Sequence, residues 1–231
     1  MQSFAPRRLV SHIVNFPALP RLIWKNVKHL FRPGRSQPVG IRRSVPTAHF
    51  EALYANSPDP WNYRTSAYEQ EKYAATIAAL SARRFHRALD IGCSIGSLTQ
   101  RLAERCDQLF AVDAVEAALA QAREACAHQP HVSFARMRIP DEWPHGHFDL
   151  IVISEVLYYL ERADIRRTAA ACRKSLAPNG EILLVHWLGS KRPSYADEAV
   201  TLFCSRLSGR CTHATRTRTK LYRLDVLRAV R

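Results

Sequence analysis

Residues 87–100, RALDIGCSIGSLTQ, constrain the fold more than any other stretch of the chain. Apolar residues at 88, 89 and 91 surround a carboxylate at 90 and lead into two glycines four residues apart, and apolar residues then resume at helical spacing. Gly92 and Gly96 can adopt dihedral angles that are closed to other residues, and neither carries a Cβ between the backbone and a ligand. The stretch therefore predicts a buried strand, a ligand-binding turn and a helix.

The spacing of this turn distinguishes between classes of ligand. A nicotinamide or flavin fingerprint needs G-x-G-x-x-G, whereas serine stands at both 94 and 97. The chain instead reads D-x-G-x-x-x-G, which resembles the first motif of class I S-adenosylmethionine (SAM) methyltransferases. The alternative is a structural strand–turn–helix that binds no ligand. The resemblance implies that the amino acid end of the cofactor is held by Asp90, Gly92, Cys93 and Gly96.

A second carboxylate follows at the spacing that a nucleoside site requires. Residues 109–112 form an apolar run that ends at Asp113, and an acid about 20 residues past a glycine turn can accept both ribose hydroxyls. We expect Asp113, with Ala114 beside it, to bind the ribose. Asp113 also stands where it can cap a helix over residues 115–127, and the two roles can coexist.

Length and composition limit the broad class of protein. The 231 residues have room for one α/β domain with a sizeable core. The six cysteines show no C-x-x-C pair and no ligand-like spacing with histidine, which predicts reduced thiols, a cytoplasmic protein and no metal site. No run approaches the roughly 18–20 apolar residues of a membrane span, and the N-terminus lacks the pattern of a secretion signal.

The net charge of +14 is unevenly distributed. Residues 1–45 carry nine Lys or Arg and no acid, which predicts a flexible, basic, proline-rich arm ahead of a methyltransferase domain at 46–231. A basic amphipathic helix over 21–31 would allow weak contact with a membrane surface. Solvated tails explain the charge equally well. No specific nucleic acid partner is expected, because the basic residues cluster at the chain ends and no RNA-binding motif is present.

Strand-like and helix-like segments alternate after the glycine turn, which predicts a Rossmann-like, mostly parallel sheet with helices on both faces. Such sheets bind ligands at the carboxyl ends of their strands. A turn at 178–180 would use Gly180 as its left-handed residue. Residues 221–227 alternate like an edge or terminal strand, in an antiparallel hairpin with 211–217. The other strands are predicted at 132–135, 148–153 and 181–187, and the helices at 115–127, 162–176 and 197–207.

An aromatic-rich segment lies ahead of the first strand. Phe50, Leu53 and Tyr54 share one helical face, two prolines end that helix, and a second helix is predicted over 66–80. Such an element can act as a lid over a cofactor, or it can simply pack on the sheet. The candidate lid residues are Trp61, Tyr63, Arg64 and Tyr68.

A methyl acceptor would bind just past the fourth and fifth strands. Glu155 can orient or deprotonate an amine or hydroxyl there, and His186 can act as a base near neutral pH. Tyr158 and Tyr159 offer aromatic faces that tolerate a methylated cation. Each residue also has a structural interpretation: a helix cap, core aromatics and a hydrogen-bonded histidine. The predicted catalytic residues are Glu155, His186 and Tyr159, although an amine acceptor needs little acid–base help.

Three stretches together carry a family resemblance. They are DPW at 59–61 with Tyr68, Glu69 and Lys72 after it, LDIGCSIGSLTQRLA at 89–103, and FDLIVISEVLYYLE at 148–161. Over residues 48–231 the chain resembles the nodulation protein S family of SAM-dependent N-methyltransferases. The resemblance implies a seven-stranded class I fold and methylation of the free amine of a deacetylated chitooligosaccharide during Nod factor synthesis in rhizobia. By position, it implies cofactor contacts for Asp90, Gly92, Gly96 and Asp113, and a lid made by Trp61 and Tyr68.

The chain departs from the family pattern after the third strand. Relatives commonly place an aspartate there that meets the adenine amino group, whereas residues 135–138 read ARMR. We therefore expect backbone groups and apolar contacts around Met137 and Arg138 to bind the adenine.

These observations predict a SAM-dependent methyltransferase that acts on a small molecule, at the amine of an amino sugar or deacetylated chitooligosaccharide. The alternatives are O-methylation of a lipid or secondary metabolite, and a nucleic-acid-associated methyltransferase.

Overall fold

The computed structural model describes residues 43–189 and 195–230. A seven-stranded sheet forms the centre of this part of the chain. In chain order the elements are α1 (Thr47–Asn56), α2 (Ala67–Ala79), β1 (Phe85–Ile91), α3 (Thr99–Ala103), β2 (Cys106–Asp113), α4 (Glu116–Ala125), β3 (Val132–Arg136), β4 (Phe148–Ser154), a single 3₁₀ turn (Leu157–Tyr159), α5 (Arg162–Ser175), β5 (Leu176–Trp187), α6 (Tyr195–Ser205), β6 (Cys211–Arg218) and β7 (Tyr222–Ala229).

The order of the strands is β3-β2-β1-β4-β5-β7-β6. The first five strands in this order are parallel, and β7 runs antiparallel to both of its neighbours. Ile91 at the end of β1 pairs with Val112 of β2 and with Ile153 of β4, so three strands end at the same edge. The order reverses between β1 and β4, which is where open α/β sheets bind ligands. The predicted Rossmann-like, mostly parallel fold is confirmed.

Helices cover both faces of the sheet and thereby bury its central strands. Tyr73 of α2 and Leu102 of α3 belong to the apolar cluster on one face, and Ile165 of α5 and Phe203 of α6 to the cluster on the other. Residues 150–153 of β4 are consequently inaccessible to solvent on both sides. A continuous apolar run is what such a strand requires, because neither face meets water.

Two details of the predicted sheet are wrong. The hairpin of β6 and β7 is predicted correctly, but β7 is an interior strand, because β6 continues the sheet beyond it. β7 is accordingly buried over most of its length. Residues 178–180 lie within β5, where its pairing with β4 is irregular, and the left-handed residue there is Asn179, with φ of 58°, and not Gly180. Gly180 is needed for close packing instead, because a Cβ there would lie 2.8 Å from the carbonyl oxygen of Ala177.

Most of the predicted N-terminal arm, including the helix over 21–31, lies outside the described residues, and its role and its boundary with the domain stay predictions. No helix in the described part of the chain is both long and apolar enough to cross a membrane.

Candidate active site

One cavity lies at the carboxyl ends of β1, β2 and β4, where the strand order reverses. Its wall includes the turn after β1, the ends of β2 and β4, and residues of the segment 44–63 that precedes the sheet. Ser44 and Val45 fasten that segment to the 3₁₀ turn and the start of α5: the Glu161 amide donates to Ser44 Oγ over 3.0 Å, and the Val45 amide donates to the Tyr159 carbonyl over 2.8 Å. Nothing in the sequence predicted that residues 44 and 45 would bond to the 3₁₀ turn and the start of α5.

Gly92 begins the turn after β1 and lines the cavity. Its φ is +76°, and a Cβ there would lie 2.3 Å from Val156 Cγ2. The Gly92 and Cys93 amides both donate to the carbonyl of Val112, at 2.8 and 3.1 Å, which ties the turn to β2. Cys93 also lines the cavity. Glycine is therefore required at 92 both by its dihedral angle and by the close approach of the chain after β4.

Gly96 does not line the cavity, contrary to the prediction that it contacts the cofactor. It also has a positive φ, +82°, and a Cβ on it would lie 3.0 Å from the Cα of Ala122 in α4. The second glycine of the motif thus allows α4 to pack against the turn, and any effect it has on a ligand acts through the position of the backbone.

Asp90 is inaccessible to solvent at the end of β1, and it lines the cavity. Its Oδ2 accepts a 2.8 Å hydrogen bond from the hydroxyl of Thr99, whereas its Oδ1 has no hydrogen-bond partner among the described residues. Burial raises the pKa of this carboxyl to about 7. A buried carboxylate oxygen without a donor is costly. This oxygen fits a cationic ligand group, such as the amino group of SAM.

Asp113 ends β2 and lines the same cavity together with Ala114. Its Oδ2 accepts from the Ser94 amide and its Oδ1 from the Val115 amide, each at 2.9 Å. Burial raises the pKa of this carboxyl, and the backbone donors partly offset that effect. Asp113 therefore holds the glycine turn and the start of α4 while still facing the cavity, which is compatible with both predicted roles.

Met137 and Arg138 line the cavity beyond β3, with Ile139 beside them. The Met137 amide donates to the Asp113 carbonyl over 2.9 Å, which continues the β2–β3 pairing into the loop. The Arg138 guanidinium pairs with Asp141. An apolar side chain and backbone groups are therefore the chemistry available for a base in this part of the cavity.

Two of the four candidate lid residues, Trp61 and Tyr63, line the cavity. Trp61 is 8% exposed, and its ring lies 5.5 Å from the ring of Tyr63 in a stacked arrangement and 5.6 Å from the ring of Tyr54 at a steep angle. Tyr54 also lines the cavity, and its hydroxyl hydrogen-bonds to Ser94 in the glycine turn. The aromatic segment ahead of the sheet is therefore connected to the ligand-binding turn.

Tyr68 and Arg64, the other candidate lid residues, do not line the cavity. The Tyr68 ring lies 6.4 Å from the ring of Tyr222, and the Arg64 guanidinium donates to Gln121 of α4 over 2.8 Å. The structure does not place these two residues at the cavity. Arg64 lies in the turn before α2, and for Tyr68 on α2 the spacing along the chain does not show which side of the helix faces the sheet.

Glu155 lies at the end of β4 with a φ of 58°, an unusual angle for a residue with a side chain. Its Oε1 is 2.6 Å from the ammonium of Lys72. Its Oε2 accepts from the Tyr158 hydroxyl at 2.7 Å and from the Trp187 amide at 2.9 Å. Burial opposes ionisation, but Lys72 and then His186 outweigh it and the pKa of Glu155 lies below its ordinary value. Glu155 is accordingly ionised near neutral pH, and its lowered pKa makes it a weak base.

Lys72 and Glu69 form the part of the site that sequence analysis did not assign. Lys72 is 2% exposed, and its ammonium lies 2.9 Å from Glu69 Oε2 as well as 2.6 Å from Glu155. Glu69 and Glu155 line the cavity, whereas Lys72 lies behind them. The spacing of Glu69 and Lys72, three residues apart on α2, is a local signal for their pairing, but nothing in the sequence connects them to Glu155.

Tyr159 lines the cavity, and its ring lies 4.8 Å from Phe50 and 4.5 Å from Tyr158. His186 does not line it. The histidine is inaccessible to solvent and its Nε2 accepts from the Leu157 amide at 3.1 Å. Burial lowers the pKa of His186 to about 4. His186 therefore supports the loop carrying Glu155, and the structure does not place it where the prediction that it acts as a base requires.

A second cluster of ionisable groups lies away from this cavity. The ligand atoms of Cys204, His213 and Asp225 fall within 4.8 Å of one another. Asp225, however, accepts from Arg216 at 3.1 Å and from Arg223 at 2.6 Å. Two guanidinium groups on the one carboxylate oppose a divalent cation, so this cluster is an ion-pair network between α6, β6 and β7.

Comparison with known proteins places this geometry in a family. The family model for nodulation protein S (NodS) matches residues 52–195. A nodulation protein S of Sinorhizobium fredii is 35% identical over 127 residues, which cover 54% of this chain and 59% of the relative. The match thus spans less than two thirds of that relative's length.

The similarity to solved structures covers more of this chain than the similarity to that relative. The N-methyltransferase NodS from Bradyrhizobium japonicum, in complex with S-adenosyl-L-homocysteine, superimposes with a TM-score of 0.70 at 25% identity, over 80% of this chain and 98% of that one. A putative methyltransferase from Pseudomonas syringae has a TM-score of 0.63 at 34% identity, over 71% of this chain and 99% of its own. The fold is that of the class I methyltransferases.

Proposed function

The chain belongs to the nodulation protein S family, and from that premise we propose that it transfers the methyl group of SAM to a free amine of a small molecule. The observation that carries the proposal is a single cavity lined by Asp90 and Asp113 at the strand ends and by Glu155 past β4. A donor and an acceptor bound in one cavity can be aligned, and alignment supplies most of the rate gain in methyl transfer.

The residues of the cavity fit the cofactor. The unpaired Oδ1 of Asp90 would accept from the amino group, and Asp113 from the ribose hydroxyls. The backbone of Gly92 and Cys93 would face the amino acid end. The adenine would lie against Ala114, Met137 and Arg138, with Trp61 closing the cavity. When bound, SAM supplies an electrophilic methyl group on a positively charged sulfur.

The groups at the other end of the cavity favour an amine as acceptor. Glu155 is an anion there, and the rings of Phe50, Tyr63 and Tyr159 line the adjoining wall. Carboxylates and aromatic faces attract ammonium groups, and methylation of an amine produces one. A hydroxyl acceptor would instead need a base strong enough to remove an alcohol proton. Neither the carboxylates of the cavity nor the buried His186 is such a base.

We further propose that the amine belongs to an amino sugar or a deacetylated chitooligosaccharide. This finer assignment rests on what the family resemblance implies about the acceptor, and the N-methyltransferase NodS that shares the fold supports an amine in general.

The test is an assay of the purified protein with methyl-labelled SAM. Glucosamine oligomers, the same oligomers fully N-acetylated, simple alkylamines and simple alcohols serve as parallel acceptors. We expect label in the free-amine oligomers alone. Label in the alcohols but in no amine would overturn the proposal, and label in an amine other than an amino sugar would overturn only the finer part.

A further inference from the structure

Three ionisable side chains at the acceptor end of the cavity form one buried unit: Glu69, Lys72 and Glu155. The two carboxylates line the cavity, and the single ammonium lies behind and between them. The unit therefore offers two acidic groups to a ligand but has one cation to balance them. Two acids in different surroundings commonly take different roles in a reaction.

The contacts of the two carboxylates differ. Glu155 is engaged through both oxygens, by Lys72 on one side and by the Tyr158 hydroxyl and the Trp187 amide on the other. Glu69 is 3% exposed, and its Oε1 accepts from Lys72 at 3.1 Å. Its Oε2 lies 2.9 Å from the same ammonium, but no donor among the described residues makes a hydrogen bond of good geometry to it. An additional proton would displace a donor at Glu155, whereas Glu69 has an oxygen at which a proton can be placed.

We infer that Glu69 is the proton acceptor for the substrate amine, and that Lys72 and Glu155 are positioning residues that hold the negative charge beside it. This inference rests on the proposed function, because it assigns a role in methylation of an amine. An amine that enters as an ammonium ion has no lone pair, and it must lose a proton before it can react.

The proposed step balances as follows. One N–H bond of the ammonium breaks, its electron pair stays on nitrogen, and the proton forms an O–H bond with the Glu69 carboxylate. The nitrogen lone pair then forms the bond to the methyl carbon, and the electron pair of the broken carbon–sulfur bond stays on sulfur. The products are a methylammonium ion and neutral S-adenosylhomocysteine, and Glu69 returns its proton to water.

The directions of the pKa shifts within the unit agree with these roles. Burial raises the pKa of Glu69, and Lys72 only partly offsets it, whereas the pKa of Glu155 is lowered. Burial alone would lower the pKa of Lys72, but Glu155 and Glu69 outweigh it, so the lysine stays charged. Among the described residues, the other titratable groups that face the unit are Tyr63, Tyr68, Tyr73, Tyr158, Tyr159, His186 and Tyr222.

The test compares Glu69→Gln with Glu71→Gln, an exposed glutamate on the same helix. We expect Glu69→Gln to lower kcat with glucosamine oligomers by at least about tenfold at pH 7, and the loss to shrink at a pH above the pKa of the free amine, where no proton has to be removed. Glu71→Gln should match the wild type at every pH. Glu155→Gln should lose activity over the whole pH range.

A second measurement does not depend on turnover. The infrared absorption of a protonated carboxyl group, followed against pH in protein without cofactor, should contain a component that Glu69→Gln removes and Glu71→Gln keeps. Affinity for S-adenosylhomocysteine should be the same in Glu69→Gln and the wild type.

The outcomes separate the two proposals. An equal loss of kcat in Glu69→Gln at all pH values, or an unchanged kcat, would overturn the role of Glu69 and leave amine methylation intact. A wild-type protein that binds S-adenosylhomocysteine but methylates no amine would overturn the proposed function, and the role of Glu69 with it.

Discussion

The backbone amide of Ser94 donates a 2.9 Å hydrogen bond to the carboxylate of Asp113. One residue comes from the turn after β1 and the other from the end of β2, so this bond joins the two strand ends that line the cavity. The acid expected to bind the ribose therefore also holds the turn expected to bind the amino acid. A change at Asp113 should consequently affect the binding of both ends of the cofactor.

Replacing Asp113 with Ala should weaken the binding of S-adenosylhomocysteine by at least about tenfold, because a charge-assisted hydrogen bond is lost. Isothermal titration calorimetry measures the change. Glu124→Gln, an exposed substitution near the end of α4, is the control and should leave the affinity unchanged. Equal affinities in the Asp113 variant and the wild type would show that the nucleoside binds elsewhere.

Replacing Gly92 with Ala should destabilise the protein and abolish measurable cofactor binding. The new Cβ would lie 2.3 Å from Val156 Cγ2, and the positive φ alone costs about 1–3 kcal/mol in a residue with a side chain. Urea denaturation and calorimetry with S-adenosylhomocysteine measure the two effects.

Gly209→Ala is the matched control for Gly92→Ala. Gly209 has a φ of +82°, and nothing lies within 4 Å of the position that an added methyl group would take. The control should therefore show the cost of the backbone angle without the clash, and cofactor affinity should not change. If both variants lost the same stability and both still bound the ligand, the close approach at Gly92 would be irrelevant.

The affinity for S-adenosylhomocysteine should depend on pH through Asp90. Burial raises the pKa of this carboxyl to about 7 in the free protein, and a bound ammonium group would lower it. Binding therefore releases a proton below pH 7, so the affinity should fall by about tenfold for each pH unit there and level off above. Calorimetry across this range tests the slope, which Asp90→Asn should remove. A slope that persists in Asp90→Asn would assign it to another group.

Trp61 and Tyr68 should differ in their effect on the cofactor, although the sequence suggested the same role for both. Trp61 lines the cavity, so Trp61→Ala should weaken S-adenosylhomocysteine binding by about tenfold or more through lost apolar contact. Tyr68 packs against Tyr222 instead, so Tyr68→Ala should lower the melting temperature without changing the affinity. If Tyr68→Ala weakened binding and Trp61→Ala did not, the lid over the cofactor would be formed by α2.

Much of the cofactor end was predictable because it depends on local sequence and on strand order. A short apolar run, a glycine turn and a second run ending in an acid place Asp90 and Asp113 at neighbouring parallel strand ends, and the register of β1 with β2 shows that arrangement. The positive φ at Gly92 follows from the same turn. None of this required knowledge of distant contacts.

The acceptor end was less predictable because it is assembled from distant segments. Glu155 and Lys72 are 83 residues apart, and their ion pair exists only because α2 packs beside the end of β4. The position of His186 was not predicted for a related reason. Its position at a strand end suggested access to the cavity, whereas packing buries the ring and a backbone amide occupies its Nε2.

By itself, the sequence determined the alternation of strands and helices, the turn at Gly92 and the two acids that follow β1 and β2, because each depends on residues close together in the chain. Tertiary structure decided which of the two motif glycines faces the cavity, which aromatic residues close it, and that Glu69, Lys72 and Glu155 share one buried site. Those outcomes depend on how helices pack on the sheet, and packing brings together side chains whose separation along the chain carries no information about their contact.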